Sequence, residues 1–216
     1  MLLGLSLVLV ACGTPKRDLR TKPYVKEAFT MGTYVKITSY DKGHEKDVAA
    51  ALAIAKDYDK KTSVNQSGSE LDEINDQAGI KPVKVSKAVY KLLKDAYDYS
   101  DKQTGFDMMI GAISSLWHIG FDDARKPSQA EIDQALPLVS HRLIEFDDQK
   151  QTVYITKKGA KIDLGAITKG YVSDRMTDYL KDHGVTTAIV DLGSSSLSLI
   201  GHSHRGAEEP WTIGIK

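Results

Sequence analysis

Apolar residues recur along this chain in two rhythms, which separate the strands it should form from the helices. Tyr34 to Ser39 alternates, with Val35 and Ile37 on one side and a turn at Asp41 to Gly43 after it, which predicts a strand. From Lys46 to Lys60 the spacing lengthens to that of an amphipathic helix, Val48, Leu52, Ala55 and Tyr58 sharing one face. Thr62 to Asn75 opens as a polar loop and becomes helical at Ser69, a candidate cap. Ser86 is placed to cap a helix carrying Val89, Leu92, Leu93, Ala96 and Tyr97, with Gly105 as its stop. Ser128 and Glu131 have capping-box spacing ahead of Ile132, Ala135 and Leu136.

Beyond residue 150 the shorter rhythm returns. Thr152 to Thr156 alternates, and Lys161 to Leu164 follows a Lys158-Gly159 turn, which suggests a hairpin. Val172, Met176, Tyr179 and Leu180 then line one face of a helix from Gly170 to His183, closed by Gly184. Strands are expected at 188–192, 197–200 and 211–215, the last without a partner or an exit, as if the chain were cut there. Helices concentrate in the first half and strands in the second without regular alternation, so the class is α+β. A length of 216 residues suits one domain.

The start of the chain departs from both rhythms. Residues 1–11 (MLLGLSLVLVA) are apolar throughout, too short to cross a bilayer, and read as a signal peptide. Cys12 follows, the single cysteine of the chain, in a run (Leu9-Val10-Ala11-Cys12) that resembles the bacterial lipobox. That resemblance implies cleavage before Cys12, diacylation of its thiol, a polar tether over 12–24 and residence on the outer side of the cell membrane. With no second cysteine, disulfides and thiolate metal sites are excluded. Lysine plus arginine equal aspartate plus glutamate at 29 each, leaving no broad positive field for nucleic acid.

Candidate chemistry concentrates in Lys161 to Tyr171 (KIDLGAITKGY), where a carboxylate ends a strand, two glycines allow close approach and Lys169 opens a helix. Such a segment can hold a phosphate at the helix N-terminus while Asp163 accepts hydrogen bonds. It matches neither GxGxxG nor GxxxxGK[ST], and a strand-to-helix turn with an incidental lysine is the alternative reading. His202 and His204, beside Arg205 in a polar loop, read as solvated, and Tyr90, Tyr97, Tyr99 and Tyr179 as packing residues.

Together with Met31-Gly32-Thr33, Ser69-Glu70-Leu71 through Asn75, Gly105-Phe106-Asp107, Leu116-Trp117 and Pro210-Trp211, in that order, the segment resembles the ApbE family of FAD:protein FMN transferases. The resemblance covers residues 25–216 and implies a single T-fold-like domain lacking its C-terminal part. It implies that FAD is a substrate and Mg²⁺ a cofactor, and that FMN passes to a threonine of an exported acceptor protein with release of AMP. FAD hydrolysis to FMN and AMP, or FAD binding without catalysis, are the alternatives. By position, Met31, Asn65, Gly105, Phe106, Asp107, Asp163 and Lys169 would meet FAD, Asp163 and Lys169 being the catalytic pair, and the main-chain carbonyl of Ala166 would meet the metal. Asn65 stands where some members have a stacking tyrosine, and Gly193-Ser194-Ser195-Ser196 where Gly-Gly-Asn is common. The family's later metal ligands and its His-x-x-Asp-Pro segment have no counterpart before Lys216.

Overall fold

In the computed structural model, residues 18–64, 67–102, 105–193, 195–206 and 208–214 are described. The expected leader, Cys12 and Asn65 lie outside them. The chain opens with two long strands, β1 (Leu19–Thr30) and β2 (Thr33–Asp41), paired antiparallel from Thr30↔Thr33 back to Leu19↔Asp41. Met31 (φ 55°) and Gly32 (φ 70°) make the two-residue turn between them, the left-handed pair whose twist suits adjoining strands. Strand therefore begins inside the stretch expected as a tether. Arg20, Thr21, Lys22, Lys26 and Glu27 hide its alternation, and it is held by pairing to β2.

Two further strands, β6 (Ala188–Leu192) and β7 (Leu197–Ile200), complete an antiparallel sheet of order β1-β2-β6-β7. Val35, Ile37 and Ser39 of β2 and Ala188, Val190 and Leu192 of β6 point to one face and are buried. That face is covered by α1 (Glu45–Thr62) and α6 (Thr168–Asp182), whose apolar stripes are Val48, Ala51, Leu52, Ala55, Tyr58 and Val172, Met176, Leu180. Each full burial of such an aliphatic side chain is worth about 1.5–3 kcal/mol, which outweighs weak intrinsic strand preference. The opposite face carries exposed Val25, Leu197 and Leu199, together with an edge-to-face pair of Phe29 and Tyr34.

Between α1 and α6 in sequence lie α2 (Glu70–Asp76), β3 (Val83–Lys84), α3 (Lys87–Asp101), α4 (Gly111–Ser114) and α5 (Gln129–Ala135), with 3-10 turns at 115–117, 136–138 and 141–143. The expected caps are present: Ser69, Ser86 and Ser128 accept from Asp72, Val89 and Glu131 N–H, and Ser128 with Glu131 forms the full capping box. Strand β3 joins β4 (Ile144–Asp147) and β5 (Thr152–Ile155) in a small second sheet of order β3-β5-β4.

Two expected strands are absent among the described residues. β5 pairs with β3 and β4, whereas Lys161 makes only an isolated parallel bridge to Ile110, because 161–163 is drawn onto the start of α4: Gly111 N–H donates to Lys161 O (3.1 Å) and Asp163 N–H to Met108 O (2.9 Å). Residues 211–214 take no regular structure. The Trp211 indole N–H instead donates to Ile200 O at 3.3 Å, and His204, exposed as expected, stacks on Tyr40 at 3.9 Å. Helix α3 ends at Asp101, ahead of Gly105.

Candidate active site

The segment 161–170 is held by two elements, α2 and α4, before it reaches solvent. Asn75, at the end of α2, makes a reciprocal pair with Ile162: its amide donates to Ile162 O (3.0 Å) and Ile162 N–H donates to its Oδ1 (2.7 Å). Gly111 lets α4 approach closely, since a Cβ there would stand 2.7 Å from Lys161 O. The Asp163 carboxylate is fixed by Ser114 Oγ–H (2.6 Å) on one oxygen and Gly165 N–H (2.8 Å) on the other. The chain then turns through 165–167 into α6, whose N-terminus has no side-chain cap. Helices leave their first N–H groups unpaired, so this end favours an anion.

A cleft of about 220 Å³ lies against this turn, lined by Met31 and Gly32 from the first hairpin, Asp59 and Thr62 from α1, Ser63 and Val64 after it, and Asp163 to Gly165, Thr168 and Lys169. Met31, Asp163 and Lys169 thus come together from positions up to 138 residues apart (169 less 31). Among the described residues the Lys169 ammonium makes no ion pair. Met31 is a side-chain-bearing residue with positive φ at the cleft's edge, a conformation that costs about 1–2 kcal/mol and is often retained at functional sites.

Phe106 and Ala166 fall on the other side of the same turn. They line a larger cleft of about 650 Å³ with Asp95, Asp98, Tyr99 and Lys102 of α3 and Tyr171, Asp174 and Arg175 of α6. Here Lys102 lies over the Tyr99 ring and Arg175 over the Tyr171 ring, at 5.0 and 5.1 Å. Tyr99, read from sequence as core or half-buried surface, is half exposed and lines this cleft. Asp107 lines neither cleft: its Oδ1 accepts from Met109 N–H (2.8 Å) and its Oδ2 from His141 N–H (3.0 Å). It serves as a cap tying the segment to the 141–143 turn. Gly105 (φ 81°) is exposed and borders the undescribed pair 103–104.

Several lining residues escaped the sequence reading. Asp59, whose Oδ2 accepts from Thr30 Oγ–H at 2.8 Å, is one of several charged positions at the end of α1, and nothing in one sequence marks it. Thr62 and Ser63 were legible only as the start of a polar loop. Ser114, which lines neither cleft but holds Asp163, gave no signal, because its partner is 49 residues away.

No group of three or more His, Cys, Asp or Glu that could hold a metal occurs among the described residues. A main-chain carbonyl at Ala166 is a hard oxygen donor of the kind Mg²⁺ takes, but a near-octahedral shell needs six. The described residues therefore do not make a magnesium site by themselves.

Comparison with known proteins agrees with this architecture. The ApbE family model matches residues 31–216. The FAD:protein FMN transferase of Klebsiella pneumoniae (strain 342) is 33% identical over 195 residues, covering 89% of this chain and 58% of that protein. The FAD:protein FMN transferase of Treponema pallidum (strain Nichols) is 30% identical over 227 residues, covering 97% and 63%. The crystal structure of the ApbE protein from Thermotoga maritima superposes with a TM-score of 0.80 at 30% identity, covering 90% of this chain and 63% of that one. The apo flavinyl transferase ApbE of Pseudomonas stutzeri shares the fold, with a TM-score of 0.77 at 24% identity and coverage of 90% and 62%. The chain spans under two thirds of the length of these relatives. On the family match over 31–216, with the mixed α/β fold and the ordered motifs that meet at the 161–170 turn, the chain belongs to the ApbE family.

Proposed function

We propose that the protein binds FAD across the 165–170 turn and transfers its FMN half to a threonine hydroxyl of an exported protein. The observation that carries this reading is the meeting of Met31, Asp163 and an unpaired Lys169 in one cleft beside an uncapped helix N-terminus. Gly165, Thr168 and Lys169 face the smaller cleft, and Ala166, Ile167 and Gly170 the larger. A dinucleotide straddling the turn sets its pyrophosphate near Lys169 and the α6 N–H groups, with one half in each cleft. The aromatic walls of the larger cleft, Phe106, Tyr99 and Tyr171, suit a planar heterocycle.

In the reaction the threonine oxygen bonds to the FMN phosphorus as the bridging P–O bond breaks. The threonine proton is lost, and AMP leaves with the bridging oxygen. Lys169 favours the charge that builds on the phosphates, and Asp163 accepts from a ligand N–H or O–H and fixes its place. Magnesium, when bound, would neutralise phosphate charge, with the Ala166 carbonyl as one ligand. Its remaining ligands have no counterpart among the described residues, which favours FAD binding without turnover as the second reading.

Incubation with FAD, Mg²⁺ and an exported acceptor is expected to add the mass of FMN to the acceptor, and to stop doing so when its threonine becomes valine. FAD bound tightly with no AMP released selects the second reading, and FMN released to water selects hydrolysis. Lys169→Ala is expected to weaken FAD binding about tenfold through loss of a charge-assisted contact.

Lipid anchorage at Cys12 is part of the same proposal, since an exported acceptor must be met outside the cytoplasm. None of the described helices is long and apolar enough to cross a membrane. Cys12→Ser is expected to move the protein from the detergent phase to the aqueous phase in detergent partition. An unchanged partition would remove the anchor from the reading.

A further inference from the structure

Ser114 is the last residue of α4, a helix docked so closely on 161–163 that Gly111 tolerates no Cβ. Its backbone N–H donates to Ile110 O at 2.9 Å. A helical serine hydroxyl commonly turns back to the carbonyl four residues earlier. Here it turns outward and donates to Asp163 Oδ2 at 2.6 Å, the short range of a hydroxyl on a charged acceptor. Gly165 N–H holds Oδ1 at 2.8 Å. One donor on each oxygen fixes the plane of the carboxylate. An ionised carboxylate offers about four lone-pair sites, so roughly two remain for a ligand, and Asp163 lines the small cleft where that ligand would lie.

We infer that Ser114 is a positioning residue: through its hydroxyl it sets the carboxylate of Asp163 as a fixed acceptor for a hydroxyl or imide N–H of the dinucleotide. This rests on the reading that FAD occupies the cleft. It gives α4, which lines neither cleft, a part in binding. Without Ser114 the carboxylate keeps its charge but can rotate about its side-chain torsions, and part of the ligand's binding is then spent on ordering it.

The test measures FAD affinity and thermal midpoint for the unsubstituted chain, Ser114→Ala, Ser114→Thr, Asp163→Ala and the Ser114→Ala/Asp163→Ala pair. Ser114→Ala is expected to weaken FAD binding about five- to tenfold, and Ser114→Thr, which keeps the hydroxyl, to stay within about twofold of the unsubstituted chain. In the Asp163→Ala background, which leaves Ser114 no side-chain oxygen to hold, the serine-to-alanine substitution should add nothing, because a residue acting through Asp163 has no other route. A purely structural role predicts the full alanine effect in both backgrounds, and that result, or unchanged affinity in Ser114→Ala, overturns the assignment while leaving FAD binding intact. Should the unsubstituted chain itself fail to bind FAD, the reading of the cleft falls and this inference with it.

Discussion

Thr33 and Gly193 meet where the first hairpin abuts the end of β6, and their contact shows how a single missing Cβ lets two elements close on each other. Gly193 has φ 64°, and a Cβ on it would stand 2.7 and 2.8 Å from Thr33 Cβ and Cγ2, with Oγ1 closer still, so no rotation of Thr33 relieves the overlap. Gly32, also left-handed at φ 70°, has nothing within 4 Å of a Cβ. Gly193→Ala is therefore expected to cost about 3 kcal/mol or more and Gly32→Ala about 1–2, the second paying backbone strain alone. Urea denaturation of the two variants tests this, and equal losses would refute the steric account. At this scale the sequence was informative where a residue type carries its own chemistry. Asp163 and Lys169 could be singled out because charges beside glycines at a strand-to-helix turn imply an anion site. Ser114 and Asp59 could not, since each is defined by a partner distant in sequence.

Helices were the most legible elements, because their apolar spacing and serine caps are local. Ser69 shows how such a cap reaches the site. It accepts from Asp72 N–H at 2.9 Å, its hydroxyl donates to Ser63 O at 2.6 Å, and Ser63 lines the small cleft. The next residue, Glu70, takes Ser86 N–H at 2.6 Å and so ties α2 to the start of α3. Ser69→Ala is expected to lose about 1–2 kcal/mol, a cap together with a buried hydrogen bond, and to weaken FAD binding by loosening Ser63. Thermal melting and an FAD titration of one variant check both parts. Strands were harder to read because their support is not local. β1 is rich in lysine, threonine and glutamate and owes its conformation to β2, so from composition it resembles a tether. β4 was not read as a strand at all, so β5 was paired with the segment that follows it, although β4 lies just before it. Trp211 to Gly214 alternates as a strand should, yet Trp211 packs against Tyr40 and the β7 carbonyl of Ile200.

Across the whole molecule, α1 and α6 form the layer that joins the sheet to both clefts, and the site is divided by α6 in a way that linear order conceals. Lys169 and Gly170 are neighbours in sequence but face different clefts. Under this layer Tyr58 of α1 meets Tyr171 of α6 edge to face at 5.7 Å, Tyr58 only 7% exposed and Tyr171 in the wall of the larger cleft. Burial, followed by the neighbouring Tyr171, pushes the Tyr58 phenol up to about 12. Its unfolded counterpart titrates near 10. Between these values the unfolded chain has released a proton that the folded chain retains, so stability is complete below about pH 10 and falls as pH rises toward about 12. Tyr58→Phe has no such proton. Its urea midpoint is expected to start lower, through loss of the hydroxyl contact, and to decline less steeply over the same interval. Lysines and the raised Tyr90 titrate in both proteins, so the difference in slope belongs to the Tyr58 and Tyr171 pair. Parallel declines would mean that this pair does not couple the two helices. A shallower decline in the variant would locate part of the fold's alkaline sensitivity in the layer that also supports the candidate active site.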